Sequence, residues 1–186
     1  MLKLWTVQDL SVLDSIQKYG VYYPDFKKSY YLNIDKDLDW IYQYLLISYN
    51  YVNKSNYNGL VFAFMGDNGE YISGFPSYDF FKSYIVNKKD VIKSLWNWLN
   101  RPGSLILELE YNEDFNPIFI DINDFQYIMP PQIIIPPFNN ESMAKILFNI
   151  SHGVYELSEF PSSLYQVHVG KISKENIVGI YPMFEI

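Results

Sequence analysis

One short segment, Leu105-Ile-Leu-Glu-Leu-Glu-Tyr111, limits most strongly what this chain can fold into. Side chains alternate between the two faces of a β-strand, so three leucines project to one side while Ile106, Glu108 and Glu110 project to the other. The leucine face is suited to a core, and the opposite face carries two carboxylates. The segment therefore predicts a strand of a β-sheet.

The rest of the chain predicts helices and further short strands. Apolar residues at helical spacing predict five helices, at about 10–19, 35–51, 78–86, 91–99 and 141–150. Alternating or wholly apolar runs predict strands at 2–7, 60–65, 70–73, 105–111, 117–121, 164–169 and 177–184. The predicted fold class is α+β: a single compact domain over residues 1–186, with short, mostly antiparallel strands and about four to five helices.

Capping residues mark several of these boundaries. Asp9 is expected to cap the first helix, and Gly20 is expected to end it in the left-handed conformation. Ser77 and Asp90 are expected to cap two later helices. The tyrosine-rich segment 22–32 is interrupted by a proline, so we expect it to be largely irregular.

The chain has no segment suited to a membrane or to secretion. No apolar run approaches the roughly 20 residues that a spanning helix needs. Asp9 and Asp14 follow the start too closely for the apolar core of a signal peptide. The absence of cysteine excludes a disulfide framework and a thiolate metal site, so we predict a cytoplasmic protein with no membrane partner.

Charge and composition bear on the kind of partner. The formal net charge is −7, and Arg101 is the only arginine. Nucleic-acid binding draws on clustered cations, so direct nucleic-acid binding is not expected. The 18 tyrosines, 13 phenylalanines and 4 tryptophans are either stacking platforms or, with lysine preferred over arginine, typical of an AT-rich genome. The second interpretation predicts a bacterial or phage origin.

Two histidines are candidates for a site. His168 lies two residues after Gln166 in a predicted strand, so both project from one face, where they are candidate ligand-binding residues. The alternative is a partly exposed polar face of an edge strand. His152 follows the predicted helix 141–150 and is better explained as a cation at its C-terminal end.

The carboxylates of the 105–111 strand are a second candidate. Glu108 and Glu110 share a face, and a hairpin between segments 105–111 and 117–121 would bring Asp121 close to them. Such carboxylates serve acid–base or ligand-binding roles, and the alternative is a solvent-facing polar stripe. The run from Asp121 to Asp124 lacks the glycine and the distal glutamate of a calcium loop, so it predicts capping.

The motifs of several large enzyme classes are absent from the sequence. It contains no phosphate-binding glycine loop, no nucleophile elbow and no metal-binding histidine pair. We therefore predict no metal and no cofactor.

Several segments together resemble an uncharacterised bacterial family, domain of unknown function 3841. The resemblance covers most of the chain in pieces: Leu4-Trp5-Thr6-Val7-Gln8, Asp39-Trp40, Phe119-Ile-Asp121 and Tyr165-Gln-Val-His-Val169. The family implies no particular activity.

A second resemblance is to small ADP-ribosyltransferase folds, and it is carried by the order strand, helix, glycine and a late strand before a capped turn. The resemblance implies NAD held in a cleft between two small sheets. It places Thr6 and Gln8 at the first-strand position, where the family has His or Arg, and Gln166 and His168 at the late position. NAD is expected as a cofactor only under this interpretation.

The sequence thus leaves two hypotheses about function. The first is a cytoplasmic domain that binds a small molecule or a protein partner, with Thr6, Gln8, Gln166, His168, Glu108 and Glu110 as its candidate ligand-binding residues. The second is a divergent ADP-ribosyltransferase-like enzyme that acts on NAD.

Overall fold

Nine strands and five α-helices make up the part of the chain that the computed structural model describes, residues 1–34, 39–67, 72–112, 117–123, 129 and 162–186. The strands are β1 (Leu2–Asp9), β2 (Val21–Tyr22), β3 (Val61–Asp67), β4 (Ile72–Ser73), β5 (Ser104–Tyr111), β6 (Ile118–Asp121), β7 (Leu164–Val169), β8 (Ile172–Ser173) and β9 (Ile177–Pro182). The α-helices are α1 (Leu10–Tyr19), α2 (Tyr30–Ile34), α3 (Asp39–Asn53), α4 (Tyr78–Asn87) and α5 (Lys89–Leu99). Single 3₁₀ turns lie at Phe26–Lys28 and Lys174–Asn176.

The main sheet is antiparallel at every pairing. Its strand order is β6-β7-β3-β1-β5-β9, and β4 pairs with β3 beside this path. The short strands β2 and β8 form a separate two-stranded sheet. The predicted α+β fold, with mostly antiparallel strands and about five helices, is confirmed.

Each face of the main sheet has its own core. On one face, Trp5 of β1 stacks on Phe81 of α4 with ring centroids 5.0 Å apart, in a core that α2, α3 and α5 also join. On the other face, Leu107 and Leu109 of β5 share a core with Ile16 of α1. The leucine face predicted for segment 105–111 is therefore buried under α1.

The predicted caps are correct in two helices of three. Asp9 accepts a hydrogen bond from Ser11 N at 2.9 Å, and Gly20 ends α1 with φ 77°. Ser77 Oγ accepts from Phe80 N at 3.3 Å at the start of α4. The prediction for Asp90 is wrong, because α5 begins at Lys89 directly after the residue that ends α4. Asp90 lies in the first turn instead, where its charge favours the helix dipole.

The proposed hairpin between segments 105–111 and 117–121 is also wrong. β5 pairs with β1 and β9, whereas β6 pairs with β7 at the opposite edge, and three strands separate the two. Asp121 therefore does not approach Glu108 or Glu110. It accepts hydrogen bonds from Asn123 N and Ser162 N at 2.8 Å each, which agrees with the predicted capping role.

Some predictions lie outside the described residues. These are the helix at 141–150, His152 and Asp124. Within the described part of the chain, no helix combines the length and apolar character that crossing a membrane requires.

Candidate functional site

The two central strands of the main sheet are joined by only two residue pairs. β1 and β3 pair at Trp5–Phe64 and Thr6–Ala63, and the ladder stops there although both strands continue. β1 remains paired with β5 as far as Asp9–Ser104, and β3 remains paired with β7 as far as Val61–Val169. Each strand thus follows its outer neighbour, and a gap opens between the end of β1 and the start of β3.

Side chains of β1 bridge the point of separation. Thr6 Oγ1 donates to the carbonyl of Phe62 at 2.6 Å, and Gln8 Nε2 donates to Thr6 Oγ1 at 2.8 Å. Thr6 is fully buried. A carbonyl of β3 is therefore satisfied by a side chain of β1 just beyond the last backbone pair, which removes the cost of leaving it unpaired.

A cavity of about 420 Å³ occupies the gap. The ends of β1 and β3, the segment 22–31 and Arg101 are among its walls. Its volume lies in the range of about 300–1,000 Å³ typical of small-molecule sites.

One wall of the cavity is aromatic. Phe26, Tyr42 and Phe62 contact one another, with Tyr42 edge-on to Phe26 at 4.9 Å and to Phe62 at 6.0 Å between ring centroids. These rings present apolar surface on which a flat molecule can pack.

The Tyr42 hydroxyl in this wall lacks a hydrogen-bond partner among the described residues. Tyr42 is 1% exposed, and burial raises the pKa of its phenol, so the hydroxyl stays protonated at neutral pH. The Ser29 hydroxyl offsets part of that shift, although the two groups do not meet in hydrogen-bond geometry. Tyr42 Oη is therefore a donor without a partner among the described residues, on a side chain that lines the cavity.

Arg101 supplies a cation at another part of the wall. Its guanidinium carbon lies 3.9 Å from the ring centroid of Tyr30 and 5.3 Å from that of Tyr31, which is cation–π geometry. Its Nε is buried and has no hydrogen-bond partner in the part of the chain that the structure describes. Within the described residues, Arg101 forms no salt bridge.

The carboxylates in the cavity wall are engaged in capping. The Ser11 side chain, then the hydrogen bond that Asp9 accepts from Ser11 N, and least the nearby Arg101, lower the pKa of the Asp9 carboxyl. Asp25 Oδ1 accepts from Lys27 N at 3.0 Å at the start of the 3₁₀ turn.

Gln166 and His168 share one face of β7 as predicted, and both are 0% exposed. Gln166 Oε1 accepts from Met129 N at 2.7 Å, and Gln166 Nε2 donates to Met129 O at 2.8 Å. The amide therefore pairs with a backbone as a neighbouring strand would. The prediction of a partly exposed polar face is wrong, because Met129 and the helices cover this side of β7.

His168 lies behind Gln166. Its Nε2 lies 3.2 Å from Gln166 Oε1, which acts as an acceptor and so assigns the proton to Nε2, while Nδ1 has no partner in the described part of the chain. Burial lowers the pKa of His168 to about 3, so the ring is neutral at pH 7. His168 does not line the cavity.

The four predicted residues of β1 and β7 form two separate pairs. The register places Trp5, Phe64 and Gln166 on one face, so Thr6 and Gln8 lie on the opposite face from the Gln166 pair. Gln8 and Gln166 both line the cavity because it passes between the separated strands, whereas Thr6 does not line it.

Glu108 and Glu110 share a face as predicted, away from the cavity. Glu108 is buried, and its carboxylate contacts Lys3 Nζ at 2.6 Å and accepts from Tyr181 Oη at 2.8 Å. Glu110 lies 3.6 Å from the same ammonium group. The expected solvent-facing stripe is therefore wrong for Glu108, which β9 covers.

Sequence reasoning missed the residues that give the cavity its chemistry, namely Tyr42, Phe62 and Arg101. The signal available for Arg101 was that it is the only arginine, and for the wall the high tyrosine content of segment 22–31. Neither signal indicates that these residues meet.

The described residues contain no group of three or more His, Asp or Glu side chains arranged to hold a metal ion. Comparisons with protein-family models, with curated proteins and with solved structures find no match to this chain.

Proposed function

We propose that this protein is a small-ligand-binding domain whose site is the cavity between the parted ends of β1 and β3. The observation that carries this proposal is a cavity of about 420 Å³ that has an aromatic wall and is lined by Tyr42 and Arg101, whose buried Oη and Nε have no hydrogen-bond partner among the described residues. An unsatisfied buried polar group costs about 1–3 kcal/mol, so a ligand that pairs with it gains binding free energy.

The shape of the site favours a small molecule over a protein partner. Ligand sites are concave and mostly apolar, with a few polar groups that orient the ligand. Phe26 and Phe62 offer the apolar surface here, and Tyr42 and Arg101 offer the orienting groups.

The test is a fragment screen by two-dimensional NMR on the wild type and on a blocked variant. Ser11 is exposed on α1 and lines the cavity, so Ser11→Trp is expected to fill the entrance without disturbing a core. Gln17→Trp, exposed on the same helix outside the cavity, is the matched control. We expect fragments that bind the wild type and Gln17→Trp but not Ser11→Trp. A screen without hits, or hits that Ser11→Trp does not affect, would contradict the proposal.

The second candidate is an ADP-ribosyltransferase-like enzyme that acts on NAD. The parting of β1 from β3 favours it, because Gln8 and Gln166 reach the cavity from its two sides. The commitment of the Gln166 amide to Met129 counts against it. Titration calorimetry with NAD and chromatography of NAD incubated with the protein test this candidate. Saturable binding with release of nicotinamide supports it, and the absence of both rejects it.

A further inference from the structure

Arg101 is held in place before any ligand binds. Its backbone N donates to Leu99 O at 3.0 Å, and its carbonyl accepts from Ser104 N at 2.9 Å in the turn that follows α5. The guanidinium lies against Tyr30 and Tyr31. An arginine fixed in this way loses little side-chain entropy when it meets a partner.

No carboxylate among the described residues forms a salt bridge with Arg101. Asp9 and Asp25 line the same cavity, but both cap helical turns, and neither forms a salt bridge with Arg101. Lys28 is the other cation of the lining, and it is exposed. On a protein of net charge −7, this places in the cavity wall a guanidinium that forms no salt bridge with any described carboxylate.

From this arrangement we infer that the ligand is a small planar organic anion, a carboxylate or a phosphate ester, whose charged group binds Arg101 and whose ring packs on the aromatic wall. The inference rests on the proposed function and names the class of ligand for the same cavity. A guanidinium matches the geometry of two oxygens of either anion, and such charge-assisted hydrogen bonds are among the strongest available to a site. Tyr42 Oη is then the donor for an acceptor atom on the ring.

The test uses pairs of probes that share the naphthalene ring and differ in whether they carry an anionic group. Binding of 2-naphthoate is compared with that of 2-naphthamide, and binding of 2-naphthyl phosphate with that of 2-naphthol, by titration calorimetry or NMR. We expect at least one of the two anions to bind about tenfold or more tightly than its neutral partner. The comparison that gives the larger ratio of affinities, anion over neutral partner, shows whether the site prefers a carboxylate or a phosphate.

Three variants test which residue causes the difference in affinity between an anion and its neutral partner. Arg101→Gln is expected to abolish the preference for the anion, and Lys93→Gln, which removes an exposed charge on α5 outside the cavity, is expected to leave that preference unchanged. Asp9→Asn keeps the capping oxygen and removes a nearby negative charge, so the anion should bind more tightly.

A measurement on the wild type keeps the inference testable even if Arg101→Gln does not fold. Affinity for the anion should fall as NaCl rises from about 50 to 500 mM, with no matching fall for the neutral probe. Equal binding of anions and neutral partners, unchanged by salt, would overturn the inference and leave the proposed function standing. If no fragment of any charge binds, the proposed function itself fails.

Discussion

Removal of the Tyr42 hydroxyl is the most direct measure of whether the cavity wall is built for a ligand. Tyr42→Phe deletes one oxygen that is buried, belongs to α3 and has no hydrogen-bond partner among the described residues. A buried polar group without a partner costs about 1–3 kcal/mol. We therefore expect Tyr42→Phe to be at least as stable as the wild type, with a gain of up to about 1 kcal/mol.

Tyr49→Phe is the matched control, on the same helix and almost equally buried. Tyr49 Oη accepts from Gly170 N at 3.1 Å, so its removal leaves a buried amide unpaired. The expected loss is about 1–3 kcal/mol.

Urea unfolding followed by circular dichroism, with equal slopes required for both variants, gives the free energies of unfolding. In thermal melts 1 kcal/mol corresponds to about 2–4 °C for a chain of this size. If Tyr42→Phe loses more than about 1 kcal/mol, or matches Tyr49→Phe, the hydroxyl has a structural role and the reasoning is refuted. In the same variant, a fragment that binds the cavity through this hydroxyl should bind about fivefold or more weakly.

Three further predictions concern residues outside the aromatic wall. Gln166→Ala should lose about 1–3 kcal/mol in urea unfolding, because both polar atoms of the Met129 backbone lose their partner; a stability equal to the wild type would show that this pairing contributes nothing. His168 has a pKa of about 3 in the folded state against 6.5 when exposed, so between these pH values only the unfolded state binds a proton at this residue. The free energy of unfolding should therefore fall as pH drops from 6.5 towards 3, by at most about 1.4 kcal/mol per pH unit. His168→Gln should flatten that slope relative to the wild type, and an unchanged slope would assign it to other groups. Glu108→Gln should cost about 1–3 kcal/mol because it breaks a buried contact with Lys3, whereas Glu110→Gln should stay within about 0.5 kcal/mol; equal losses would contradict the difference in burial.

Much of the local structure could be predicted from the sequence because neighbouring residues determine it. The strand at 105–111, the cap at Asp9, the left-handed Gly20 and the cap at Ser77 all depend on side-chain alternation or on hydrogen bonds within four residues. The prediction that Asp90 caps a helix failed because α4 and α5 meet at Lys88 without a break, a continuity that the sequence pattern does not reveal.

Burial of the candidate residues was decided by tertiary structure. The alternation in β7 correctly placed Gln166 and His168 on one face, but whether that face meets water or a second layer depends on what packs against it. Met129, 37 residues away, covers Gln166 and forms hydrogen bonds with both the oxygen and the nitrogen of its amide. The same holds for Glu108, whose partners Lys3 and Tyr181 come from opposite ends of the chain.

The order of the strands and the cavity were likewise decided only in three dimensions. Strand patterns identify β5 and β6 but not their neighbours, because the backbone hydrogen bonds that pair two strands are the same for every residue type. In the sheet these two strands lie far apart. The separation of β1 from β3 arises because each strand stays paired with its outer neighbour, so the gap is a property of four strands together. Tyr42 and Arg101 become a site only when that gap brings them to one cavity, since they lie on separate elements 59 positions apart in the numbering.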